Sequence, residues 1–319
     1  MKFSAVVLAH LGGVGKIGRG ECENFLREFL SDREVLGGNF FGREILARLI
    51  AKLGAGRFCK TLASCAQSAG GRLVPASVFY AERLAQKLSL ELGAEVFQAG
   101  VYGQNNLKNL RGELEGKNLL RGKILFVICY PQIASSTVFP ALREIEKNFA
   151  GADYQIIKGY GGKDFYARAI AGSVLEKGEN FDAVLVSFHS VPKSQLAKHA
   201  YGAECEKSFE KIKGALGGLR AEMAYQSAMR FGGWLAPPAK QAALRLAREG
   251  AKNLAVVCPG FFCDCTETLA EIGVDLRRAF LEGGGEKFTY INCLNDSPAQ
   301  VKMFSQIIKE ACFQYGIMA

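Results

Sequence analysis

The sequence predicts an α/β protein built on doubly wound parallel sheets, and three observations carry that expectation. Short runs rich in Val, Ile and Phe recur from one end of the chain to the other. They are continuously apolar and do not alternate, which marks strands buried on both faces. The segments between them keep helical spacing, so strand and helix alternate, as a parallel sheet covered by helices requires.

The first run, FSAVVLAHL (3–11), reads as a buried strand entering a glycine-rich stretch, LGGVGKIG (11–18). A lysine before an apolar run also suits a secretory signal, but no small-x-small cleavage site follows. The glycines lack both spacings that cradle phosphates, so no nucleotide site is expected there. FFGREILARLIAKLGAGRF (40–58) reads as an amphipathic helix with basic residues, either packed on a core or resting on a lipid surface. A second helix is expected at SVFYAERLAQKLSLELG (77–93). Further strands are expected at AEVFQAGV (94–101), KILFVICYP (123–131), YQIIKGY (154–160), FDAVLVSFHS (181–190), NLAVVCPGFF (253–262) and KFTYINCLN (287–295). In PPAKQAALRLAREGAKN (237–253) proline near the start and glycine near the end bracket a helix.

This many strands suits two domains. The division is expected within 141–162, giving domains 1–145 and 146–297, with the last helix, 298–316, packing back on the first. No internal repeat or low-complexity tract is evident.

Composition narrows the function. A formal charge of +9 favours an anionic partner, but the basic residues are dispersed singly, so no nucleic acid is indicated. Apolar runs are broken well short of the roughly 20 residues that span a bilayer. Cys59, Cys65, Cys129, Cys258 and Cys312 sit in apolar periodic segments, as reduced thiols of a cytoplasmic protein do.

In sheets of this kind chemistry lies beyond the carboxyl ends of the strands. Three such ends draw attention: CYPQIASST (129–137), SFHSVP (187–192) and CPGFFCDCTETL (258–269). They offer Tyr130, His189, Asp264 and Glu267. An imidazole with carboxylates can accept protons and guide a divalent cation. The same residues have ordinary readings too: Asp264 and Glu267 have the spacing of a helix capping box, and His189 suits a satisfied structural histidine. Cys258, Cys263 and Cys265 could bind zinc or an iron–sulfur cluster, but no second C-x-x-C pair supports them. Glu271 lies four residues after Glu267, on the same face of an α-helix.

Six ordered stretches resemble the ferrochelatase family, which inserts ferrous iron into a porphyrin. They are ENFLREFLSDREVL (23–36), YPQIASST (130–137), SFHSVP (187–192), AYQSAMRFGGWLAP (224–237), PGFFCDCTETLAEI (259–272) and YINCLNDSP (290–298). The resemblance implies two Rossmann-like domains with a porphyrin held in a cleft between them. It implies that His189 and Glu267 are the facing catalytic pair, His189 taking the pyrrole protons. It also suggests that Glu267, Glu271 and Asp264 form a carboxylate route for protons or metal. Trp234 and Tyr130 are expected to line the porphyrin site, together with Leu11 and His10, the latter standing where the family has asparagine. Arg57, Lys60 and Arg72 are candidate partners for the propionates, with Tyr102 nearby.

The chain departs from the family pattern in two places. Arg72 and Leu73 replace the Ser-Pro of a Gly-Gly-Ser-Pro turn, and AGVYGQNN (99–106) keeps only Tyr102 of a Met-Arg-Tyr stretch. Cys205 matches a family cysteine, yet the cysteine-rich tail of cluster-bearing members is missing. The resemblance therefore implies Fe²⁺ as the substrate metal, no organic cofactor and no iron–sulfur cluster. It sets no oligomeric state. The expected setting is the cytoplasm, with the 40–58 helix in reach of the inner membrane face, and protoporphyrin IX is the favoured porphyrin over coproporphyrin III. Two other readings fit the same residues: a chelatase for another tetrapyrrole such as sirohydrochlorin, and a porphyrin-binding protein without catalysis.

Overall fold

A computed structural model describes residues 3–197, 199–228 and 233–314. The chain divides into two compact units. The first contains β1 (Ala5–Gly13), α1 (Arg19–Ser31), α2 (Phe40–Ser64), the hairpin strands β2 (Gln67–Ala69) and β3 (Arg72–Val74), α3 (Ala76–Leu92), β4 (Val96–Gly103), α4 (Leu107–Gly116), β5 (Ile124–Ile128), α5 (Ser135–Asn148) and β6 (Tyr154–Ile157). The second contains α6 (Asp164–Leu175), β7 (Ala183–His189), α7 (Tyr201–Ala215), β8 (Ala221–Gln226), α8 (Ala239–Arg248), β9 (Asn253–Val257), a π-helix (Glu267–Leu276), α9 (Arg277–Glu282) and β10 (Lys287–Tyr290). The last helix, α10 (Pro298–Gln314), returns to the first unit and packs on α3. Residues 315–316, included in the expected helix, lie outside the described residues, as do 229–232 of the AYQSAMRFGGWLAP stretch.

Each unit is built on one parallel sheet. The orders are β4-β1-β5-β6 and β10-β9-β7-β8. Counted along the chain, both read second-first-third-fourth, so the units share a topology that no sequence repeat reveals. The central strands are fully buried: Val6 to Ala9 of β1, Ile124 to Ile128 of β5 and Ala183 to Phe188 of β7. Burial on both faces is what made these runs continuously apolar. In the second unit Leu185, Leu254, Val256, Ile272 and Phe280 belong to one cluster, which joins the sheet to the π-helix and α9.

Three expectations need correction. The division near 145 falls later, after Lys158, because Tyr154–Ile157 pairs in register with β5 and so belongs to the first sheet. The first two glycines of LGGVGKIG are still strand: β1 runs to Gly13, with Gly12 and Gly13 paired with Tyr102 and Gly103 of β4. A Cβ on Gly12, at φ +97°, would lie 2.0 Å from the carbonyl oxygen of Tyr102, so this approach of the two backbones requires glycine. Finally, AEMAYQ (221–226) is an edge strand, β8, which the run-by-run reading passed over because its outer half is only partly buried.

α2 is amphipathic in an unusual sense. Its buried stripe is Ala47, Ala51 and Ala55, one residue every four, which lets it lie close to its neighbour α1. The large side chains point outward: Phe41 is 78% exposed and Leu53 76%, with Phe40, Ile45 and Leu49 also exposed. Arg43, Arg48 and Lys52 lie among them in sequence. Apolar exposure on this scale marks a surface made to meet something. Among the described residues, no helix is long and apolar enough to cross a membrane.

Candidate active site

In a sheet of this order the strand order reverses beside the first strand, and ligands bind beyond the carboxyl ends there. In the second unit that place lies between β7 and β9. β7 ends on His189, and β9 leads through Cys258–Thr266 into the π-helix, whose first residue is Glu267.

His189 is half-buried and its protonation pattern is set locally. Its Nδ1 lies 2.6 Å from the carbonyl oxygen of Ser190. A carbonyl can only accept, so Nδ1 carries a proton and donates it to Ser190, which leaves Nε2 as the ring nitrogen free to meet a substrate. Among the described residues Nε2 takes no hydrogen bond. The hydroxyl of Tyr201 donates to the His189 carbonyl at 2.8 Å, closing the strand end, and the ring of Phe261 lies 6.2 Å from the imidazole. His189 thus offers one basic nitrogen held in a fixed direction.

Glu267 and Glu271 begin the π-helix, where an α-helix was expected. In an i→i+5 ladder the turn is slightly longer than four residues, so carboxylates four apart still share one side. Both are half-buried. Thr266 Oγ1 donates to Glu267 at 2.9 Å, and Glu271 accepts from the backbone N–H and the hydroxyl of Ser227, each at 2.6 Å. Gln226, 2% exposed, ties the region together. It pairs with His189 across the β7–β8 ladder, accepts from Ser187 and Cys258, and donates to the Glu267 carbonyl at 3.3 Å. The structure therefore gathers His189, Glu267 and Glu271 around one dipeptide, Gln226–Ser227. That dipeptide lies inside AYQSAM, and nothing in its local spacing marks it as part of a site.

Asp264 is placed otherwise. It is 1% exposed and its carboxylate accepts from Asn295 at 2.7 Å, Asn292 at 2.8 Å, Tyr290 at 2.5 Å, the Cys293 N–H at 3.2 Å and Thr268 at 3.2 Å. It does not cap the helix, and its lone pairs are committed to these donors, so it is no metal ligand. It fastens the start of the π-helix to the chain after β10. Burial and this carboxylate drive the Tyr290 hydroxyl far above its ordinary pKa. The neighbouring thiols are protonated for a related reason: burial raises Cys258 and Cys265 well above the usual thiol range. Among the described residues no cluster of three metal-binding side chains forms. Trp234, half-buried, pairs through its backbone with Pro192 just after β7, at the same carboxyl end.

The corresponding edge of the first unit carries the other candidates. His10 is 3% exposed, lies inside β1, and uses both ring nitrogens. Nδ1 accepts from the Gly12 N–H at 3.1 Å, and Nε2 donates to Gln98 at 2.7 Å. Burial lowers its pKa below 6.5, and a ring this enclosed serves the strand and offers no face to line a porphyrin site. Tyr102 is also buried: its hydroxyl donates to Asp32 at 2.8 Å, Asp32 pairs with Arg143, and desolvation pushes the phenol pKa up. It is a core residue, not a propionate partner. Tyr130 is half-buried just past the end of β5, where its oxygen accepts the Leu11 N–H at 2.8 Å; this pins the chain leaving β5 to β1. Arg57 and Lys60 on α2 and Arg72 on the hairpin are exposed, and no ion pair involving them is formed among the described residues.

The Ferrochelatase family profile matches residues 4–312. The chain belongs to the ferrochelatase family. It is 30% identical to a ferrochelatase of Aliivibrio fischeri, over 98% of each chain, and 31% identical to one of Cronobacter sakazakii, over 96% of this chain and 97% of the other. A coproporphyrin III ferrochelatase of Symbiobacterium thermophilum is 28% identical over 97% of this chain and 98% of its own. The fold is shared with SirB from Bacillus subtilis, at a TM-score of 0.58 and 10% identity, over 73% of this chain and 89% of the other. Ferrochelatases insert metal into porphyrin, and this chain is an enzyme of that kind.

Proposed function

We propose that this ferrochelatase inserts Fe²⁺ into protoporphyrin IX, with His189 as proton acceptor and Glu267 as the carboxylate that works with it. The observation that carries this reading is the tautomer of His189: Nδ1 is committed to Ser190, and Nε2 is left as a directed base at a strand end. Metallation removes two pyrrole protons, and a neutral imidazole is a suitable acceptor near pH 7. Glu267 and Glu271, on one side of the π-helix, supply the anionic path along which a hydrated cation or the released protons travel. Trp234, Tyr130 and Leu11 pack against the macrocycle, and exposed Arg57, Lys60 and Arg72 meet its propionates. The enzyme uses no organic cofactor and no iron–sulfur centre; the lack of a C-x-x-C pair among Cys258, Cys263 and Cys265 supports the latter.

The apolar outer face of α2, with basic residues interspersed, supports the reading of a peripheral contact with an anionic membrane surface, and with it the less charged protoporphyrin over coproporphyrin; the proposed setting is the cytoplasm at the inner membrane face. Flotation with vesicles containing anionic lipid checks this: the native chain is expected to float, and Leu49→Glu with Leu53→Glu to sediment. Equal behaviour of the two would remove the membrane from the account.

Anaerobic metallation followed by porphyrin absorbance tests the chemistry. Turnover with protoporphyrin IX is expected, reduced about 10²-fold or more by His189→Ala and by Glu267→Gln. Faster turnover with coproporphyrin III would reassign the substrate, and full activity of either variant would reassign the base.

A further inference from the structure

Glu271 is held at both of its oxygens by one residue. The N–H of Ser227 donates to one oxygen and its hydroxyl to the other, each at 2.6 Å. Ser227 follows directly on the last residue of β8 and adopts φ +61°, a left-handed conformation that residues with a Cβ rarely take and that clusters at functional sites. At this point the chain leaves the β8 ladder and turns its N–H toward the π-helix. The preceding residue, Gln226, has its amide oxygen fixed by Ser187 and Cys258, so its nitrogen is aimed at the Glu267 carbonyl. Two consecutive residues therefore grip two successive turns of the π-helix, one through the backbone and one through the carboxylate.

We propose that Ser227 is a positioning residue for metal delivery, fixing the Glu271 carboxylate in the orientation that receives the incoming cation. This rests on the reading that Glu271 belongs to the metal path. A free glutamate must freeze several side-chain rotations each time it binds an ion, and a carboxylate already clamped does not. Each oxygen gives one lone pair to Ser227 and keeps another for a hydrated metal. The strained backbone at Ser227 persists because the two charge-assisted hydrogen bonds hold it there.

The test is a double-mutant cycle. Ser227→Ala is expected to raise the KM for Fe²⁺ roughly ten-fold while changing kcat less than about two-fold. In a Glu271→Ala background the same substitution is expected to change neither. Ser227→Gly keeps the N–H and suits the left-handed backbone, so it separates the lost hydroxyl from any folding defect; it should raise KM by no more than the alanine variant. An unaltered metal KM, a loss confined to kcat, or an undiminished effect when Glu271 is absent would overturn the proposal. Failure of the underlying reading is seen separately, as a Glu271→Ala enzyme that keeps the wild-type metal KM. For a wild type that metallates no porphyrin, the cycle is read on Zn²⁺ binding to the porphyrin-free protein: a ten-fold weakening by Ser227→Ala that needs Glu271 supports the clamp, and additive effects overturn it.

Discussion

His10 lies on the first strand of one unit and His189 on the first strand of the other, each beside the reversal of strand order, yet their imidazoles are prepared differently. β1 continues past His10 to Gly13, still paired with β4, so the ring is sealed in and both nitrogens are used. β7 stops at His189, so one nitrogen is fixed by Ser190 and the other is left over. The difference teaches that an imidazole's chemistry here follows from where the strand ladder ends. A histidine within a strand is desolvated and has both ring nitrogens engaged, while a histidine on its last residue keeps one ring nitrogen uncommitted and held in a fixed direction.

The largest expected effect separates the two directly. His189→Ala should lower kcat by about 10²–10⁴-fold, whereas His10→Ala should leave kcat per folded molecule within about three-fold; comparable losses in the two would erase the distinction. Next in size is a comparison of carboxylates. Asp264→Ala strands Tyr290, Asn292 and Asn295 and the Cys293 N–H inside the second unit, and should cost about 3 kcal/mol or more of stability. Glu267→Ala, at a half-buried group, should shift the melting temperature far less while abolishing turnover. Smallest is a pH effect. The folded pKa of His10 is depressed below 6.5 by burial, so the unfolded chain binds its proton more readily. Its contribution to stability is complete above pH 6.5 and is lost as pH falls through the lowered folded value. The wild-type melting temperature should therefore drop more steeply between pH 7 and 5 than that of His10→Gln, and parallel curves would mean that the ring is more accessible than its hydrogen bonds imply.

Much of this arrangement was legible in the sequence, for a physical reason. Parallel strands covered on both faces must be apolar throughout, so β1, β5, β7 and β9 announced themselves, and the residues at their ends followed. Elements that answer to distant partners stayed hidden. Asp264 looks like a helix cap because Glu267 stands three residues on, but its partners come from 290–295, which local spacing cannot show. The π-helix escaped notice because ten residues hold too few turns to tell its period from that of an α-helix. β6 was read as the start of the second domain because its pairing with β5 spans α5. The length of β1 beyond His10 was masked by glycines that resemble a loop and serve instead to let two backbones touch.

The return of α10 to the first unit has a consequence for biosynthesis. β6 leaves the ribosome long before α10, whose Met303, Phe304, Ile307 and Ile308 are buried in the finished protein. Between residues 158 and 314 synthesis takes roughly 8–30 s at about 5–20 residues per second. The second unit, nearly continuous in the chain, has everything it needs before that interval ends. The unit synthesised first is therefore the one completed last, and for those seconds α3 waits without its partner helix, a window in which chaperones have a surface to hold.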